Sequence, residues 1–146
     1  VDAGVINGVL SYKVDTYTAN YNAPLNTGKF AIIKNGNLAN MDKTATPVVA
    51  GLVLQSMVNA IENGETFVKT GEGAVYQVDV VSWGLATVAV KSGDTPAKFG
   101  AIYAVNSGVV DADLGKATTT PTNNVAVKGY FNREIKTGVW EVFIQL

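Results

Sequence analysis

Residues 77 to 90, QVDVVSWGLATVAV, carry the alternation that most constrains what this chain can fold into. A strand sends successive side chains to opposite faces, so the stretch is read by parity. Even positions give Val78, Val80, Ser82, Gly84, Ala86, Val88 and Val90, a row of small or β-branched residues suited to a tight sheet core. Odd positions begin polar at Gln77 and Asp79 but then set Val81, Trp83 and Leu85 side by side. A half-exposed strand does not keep three large apolar residues uncovered on its outer face. Either another segment of the same chain covers them, or another subunit does. A bulge at Gly84 is the third reading, because it swaps the parity and carries Leu85 inward.

The same vocabulary of strands and tight turns runs through most of the chain. KFAIIKNGNLANM reads as a strand, an Asn35-Gly36 turn and a return, the dipeptide being a strong hairpin signal. VVAGLVLQ (48–55) reads as a buried strand, and AIYAV (101–105) as another. Turns are expected at residues 70–73, at Ser92-Gly93-Asp94 and at Asn106-Ser107-Gly108, with a polar loop over 117–124. NVAVKGYF and VWEVFIQL form a last hairpin around Lys136-Thr137-Gly138. The final strand puts Trp140, Val142, Ile144 and Leu146 on one face. One short helix is expected over 54–64, where Leu54, Met57, Val58 and Ile61 fall at helical spacing before Asn63-Gly64. Residues 1–27, with Tyr12, Tyr17 and Tyr21, read either as an extended arm or as a first strand pair. Short strands at close spacing, without crossover helices, place the chain among all-β folds. The expected architecture is a compact antiparallel β-barrel or sandwich over 28–146, with an N-terminal arm over 1–27 and at most one short helix.

Composition closes off several kinds of chemistry. A chain of 146 residues is one domain by the usual size prior. No cysteine means no disulfide or thiolate metal site, and no histidine removes the commonest metal ligand and the usual neutral-pH base. A net charge of -1 with interspersed signs offers no footprint for nucleic acid or an anionic membrane. No apolar run reaches the length of a membrane-spanning helix, and no signal peptide is expected; the opening Val1 suggests processing upstream.

The carboxylates are the remaining candidates for acid–base or metal work. Asp111 and Asp113, with Asp94, suggest a calcium loop, but VVDADLGK lacks the other oxygen ligands and distal glutamate. These residues, like Glu62 and Glu65 around Gly64, read as solvated turns. Asn26-Thr27-Gly28-Lys29 has the Gly-Lys pair of a phosphate loop, but Phe30 stands where Ser or Thr is needed. The serines have no histidine to activate them. No catalytic residue, cofactor or metal ligand is expected. Tyr12, Tyr17, Tyr21, Trp83, Tyr103 and Trp140 could stack on sugars, and core or interface packing accounts for them equally.

The second half of the chain resembles the capsid cement, or decoration, proteins of tailed bacteriophages. The resemblance rests on the valine-rich strand Val78 to Val81, Gly84, the Gly93-Asp94 turn, Ile102-Tyr103, Gly108 and the closing strand Val139 to Leu146, with VVAGLVLQ upstream. It runs from about Phe30 to Leu146 and departs from the family pattern in the longer link Thr95 to Phe99. It implies a β-barrel that assembles as a homotrimer on the outer surface of a phage head, holding subunits of the major capsid protein together. On that reading Val81, Trp83 and Leu85 are candidate trimer-interface residues. The segment bearing Tyr12, Tyr17 and Tyr21 is then a capsid-contacting arm. A carbohydrate-binding β-sandwich, a head-fibre or pilus-like domain and, last, an enzyme are the alternatives.

Overall fold

A computed structural model describes residues 3–4, 13–20, 25–43, 47–54, 59–62, 65–68, 75–107 and 110–146. In chain order its strands are β1 (Lys13–Asn20), β2 (Leu25–Asn26), β3 (Phe30–Lys34), β4 (Asn37–Asn40), β5 (Val48–Val53), β6 (Asn59–Glu62) and β7 (Glu65–Val68). There follow β8 (Val75–Ala89), β9 (Ile102–Ala104), β10 (Ala117–Thr118), β11 (Val125–Val127), β12 (Gly129–Lys136) and β13 (Val139–Gln145). Among the described residues one 3₁₀ turn, Asp111–Asp113, interrupts them. The expected hairpin at Asn35-Gly36 is present: both residues have positive φ, 52° and 78°, as the tight turn between β3 and β4 requires.

A seven-stranded sheet, ordered β1-β4-β3-β5-β8-β13-β12, forms the middle of the molecule, and β1 pairs with β8 as well as with β4. Two three-stranded sheets, β10-β9-β11 and β2-β7-β6, accompany it. Nearly all pairings are antiparallel, and the fold is sandwich-like. Two apolar clusters explain why β3, β5 and β8 read as almost unbroken hydrophobic runs: these strands are buried on both faces. Phe30, Ile32, Leu52, Val81, Ala86 and Val88 meet Ile102, Ala104, Ala117 and Val127 of the small β10-β9-β11 sheet. On the opposite face Ala31, Val53, Val78 and Val80 pack with Leu38 and with Leu25 of β2. In β5 the register with β3 slips past Ala50, which lets Val49 and Leu52 serve one cluster and Ala50 and Val53 the other. Gly51 permits the crossing, since a Cβ there would stand 2.5 Å from the Val81 carbonyl oxygen.

Two sequence expectations change. Asn59–Glu62 is a strand paired with Glu65–Val68, so the second half of the expected helix over 54–64 is sheet. Residues 55–58, like the turn at 70–73, lie outside the described residues. NVAVKGYF is divided between two sheets, β11 pairing with β9 and β12 with β13. Within residues 1–27, Lys13–Asn20 is a full strand of the main sheet. The backbone N–H of Gly4 also donates to the Thr87 carbonyl. Of the two readings of this segment, the strand describes 13–20.

Candidate interaction surface

The surface is created by a single extra residue in β8. Lys13 lies opposite Trp83 while Val14 lies opposite Val81, which leaves Ser82 without a partner in β1. Such a bulge reverses the alternation beyond it. The Ser82 hydroxyl donates to the Asp15 carboxylate at 2.9 Å, and the Thr16 hydroxyl donates to Asp79 at 2.6 Å, so both flanks of the bulge are pinned. The bulge therefore falls two residues before Gly84, and its effect differs from the expected one. Val81 turns into the core, with 0% of its surface exposed. Trp83 and Leu85 turn to the opposite face. The three residues taken together from the sequence are thus divided: Val81 is buried, while Trp83 and Leu85 lie on the opposite face.

Around them stands a row of rings. Trp83, 37% exposed, meets Phe143 edge-on with centroids 5.1 Å apart. Phe143 of β13 lies opposite Leu85 of β8 and opposite Tyr130 of β12, and it stacks on Tyr130 at 5.4 Å. Tyr130 in turn meets Phe99 at 5.4 Å, tilted by 59°. Phe99 is the outermost ring, 69% exposed, and its backbone is left-handed with φ 67°. A bulky residue rarely accepts that conformation. It is held there because the Phe99 N–H donates to the Phe131 carbonyl at 2.7 Å while the Phe131 N–H donates to Gly100 at 3.0 Å. The Lys98 ammonium sits 5.4 Å from the Phe99 ring centre. The edge therefore combines a strained backbone, a large ring in solvent and a neighbouring cation.

Phe99, Tyr130 and Phe143 were not among the residues singled out from the sequence. Their association depends on the β12–β13 register and on a loop folding back onto β12, neither of which a single chain spells out. Of the three arm tyrosines, Tyr17 packs half-buried against the Leu25–Val80 cluster. Tyr12 and Tyr21 lie outside the described residues.

The polar candidates have structural employment. Asp94 accepts from the Thr118 hydroxyl and the Thr119 N–H, Asp113 pairs with Lys116 at 2.9 Å, and Lys29 of the Gly-Lys pair donates to the Ala112 carbonyl at 2.7 Å. The buried Glu141 carboxylate is held by Asn132 and Arg133. Among the described residues no group of three or more acidic side chains gathers to hold a metal ion. An open cleft of about 350 Å³ lies between the Lys91–Asp94 turn and the Thr137-Gly138 turn, with Trp140, Glu134 and Lys116 on its walls. Among the described residues no helix is long and apolar enough to cross a membrane.

Fold and surface together define a class: a nearly all-antiparallel β sandwich with a row of aromatic rings on one face, exposed at Trp83 and Phe99 and buried at Phe143. A solved chain from the structure described as "The capsid of Myoviridae Phage XM1" is similar to this one throughout. It superposes with a TM-score of 0.84 at 26% sequence identity, over 99% of this chain and 90% of that one. No protein-family model matches the chain, and no curated protein matches it. The likeness makes this a phage capsid-related β protein, and it points to a structural rather than an enzymatic role.

Proposed function

We propose that the chain is a capsid cement protein. It binds the outer surface of a tailed-phage head as a homotrimer and ties neighbouring subunits of the major capsid protein together. The observation that carries this reading is the match to a chain of a phage capsid, over 99% of this chain and at 26% identity. The sequence resemblance to cement proteins supports it independently of that match. The physical role asks only for a stable body and sticky faces. A closed ring repeats one weak contact three times, and effective concentration multiplies the result. A chain of net charge -1 suits an outer surface better than one facing packaged DNA.

In this reading Trp83 and Leu85, on the aromatic strip, form the contact between copies. The segment bearing Tyr12, Tyr17 and Tyr21 faces the shell, with Tyr17 anchoring it on the core. Along the strip the rings stand at varied angles, 75° between Trp83 and Phe143, 26° between Tyr130 and Phe143 and 59° between Phe99 and Tyr130, so they form no single flat platform for a sugar.

The test is to mix the purified chain with expanded heads of its phage that lack it, sediment them and count bound copies. Saturation in multiples of three per site, with shells that resist higher temperature, is the expected result. Heads that sediment without the chain at every concentration overturn the proposal.

A further inference from the structure

We infer that the exposed turn Val110–Asp111–Ala112 of one copy docks on the Phe99 end of the strip of the next, head to tail, with Asp111 against Lys98. This deepens the trimer reading above and rests on it.

Val110 is 68% exposed, one of the few large apolar side chains left in solvent among the described residues. Next to it the Asp111 side chain is 89% exposed, its ion pair with Lys43 being long, at 3.6 Å, and solvated. A pair of that kind holds little free energy, so the carboxylate can turn to a new partner at small cost. The turn itself is rigid. Its 3₁₀ bonds run from Asp113 N–H to Val110 O and from Leu114 N–H to Asp111 O, and the buried Lys29 ammonium clasps the Ala112 carbonyl. It is therefore an apolar knob with an acidic shoulder, presented without ordering cost. The strip end is its complement: an exposed ring in a preset conformation, with a lysine over it.

Topology supplies the arrangement. Phe99 stands three positions before the short strand β9 and the knob six positions after it, so knob and strip end are two different patches of the chain. Two different patches that fit one another make a heterologous contact, which builds a ring when the rotation closes. A contact of like with like would instead bring Lys98 to Lys98. The knob is small, and a stable interface buries about 800 Å² on each partner. The remainder of the strip, to Trp83 and Leu85, continues the same contact inward.

Charge reversal tests this on the full chain. Mass is measured by light scattering across a dilution series for wild type, Lys98→Glu, Asp111→Lys and the double variant, with circular dichroism as the check on folding. Both changed side chains lie on the surface, so all four proteins are expected to fold. Each single reversal is expected to raise the concentration at which trimers dissociate by about tenfold, and the double variant to restore most of that loss. Trimers that ignore both single reversals, a double variant no better than the singles, or a wild type monomeric throughout the series overturns the inference. Binding to expanded heads is measured alongside. Heads that bind a chain whose association ignores the reversals leave the cement reading standing without this contact. Trimers that respond as expected but ignore heads do the opposite.

Discussion

Phe99 is where backbone strain and surface exposure coincide, and the two can be separated by substitution. In Phe99→Ala the left-handed backbone keeps its penalty while the ring contact with Tyr130 goes. In Phe99→Gly the same contact goes but the strain is relieved, since glycine accepts positive φ freely. Phe99→Gly is therefore expected to be more stable than Phe99→Ala by about 1 kcal/mol, the reverse of the ordinary order of these residues in a strand. Urea unfolding of the two variants gives the difference directly. Equal midpoints would mean that the loop relaxes and that no strain is stored there. The divided pair Val81 and Trp83 makes a second contrast. Val81 fills the core between two sheets, so Val81→Ala is expected to cost about 2 kcal/mol of stability with little change in association. Trp83→Ala is expected to cost about 1 kcal/mol of stability and to weaken the trimer. Unfolding and light scattering on both variants check it; a Trp83→Ala trimer as tight as wild type removes Trp83 from the interface.

At the scale of elements, β1 decides how the N-terminal segment is understood. An arm can be deleted with its function and leave the body intact, whereas a strand paired on both edges cannot. β1 faces β8 through eight residues and touches β4 on its other side. Removing residues 1–27 exposes the edge of β8 and one wall of the Leu25–Val80 cluster. The deletion is therefore expected to abolish cooperative unfolding or to leave the chain insoluble, as unpaired sheet edges do. A soluble deletion that melts cooperatively near the wild-type temperature would restore the arm. The same element shows what a sequence can and cannot convey. The Asn35-Gly36 turn was legible because its chemistry is local: two residues that tolerate positive φ between two alternating runs. The all-β class, the buried part of β5 and Val142 and Ile144 on the inward face of β13 were legible because alternation is local too, whereas Val48 and Leu146, expected to be inward, are exposed. The bulge at Ser82 was not, because it arises from the register between β8 and β1, some seventy positions apart. Leu54 to Ile61 fit a helix by spacing, yet Asn59–Glu62 is drawn into a strand by its partner Glu65–Val68. The aromatic strip was half legible: Trp83 and Leu85 stood out as large residues on an outward row, while their companions came from pairings made only in the folded chain.

At the scale of the whole molecule, the proposed trimer matters through arithmetic rather than through new contacts with the shell. Once one member of a ring has bound, the other two face their sites at high effective concentration, and overall affinity can exceed that of one contact by about 10²–10⁴-fold. A substitution that breaks the ring without touching the shell-facing side should then reproduce the whole loss. At concentrations below their raised dissociation point, where they are monomeric, Trp83→Ala or either charge reversal at Lys98 and Asp111 is expected to bind expanded heads at least about 100-fold more weakly than wild type. The melting temperature of the free chain would meanwhile change only slightly. Bound copies should also cease to arrive in threes. Sedimentation of heads over a range of chain concentrations reads both quantities in one experiment. A folded monomer that saturates heads at the wild-type concentration would mean that each copy holds the shell by its own strong contact. The aromatic strip would then be a surface for the shell itself, and avidity would have no part in how the chain cements it.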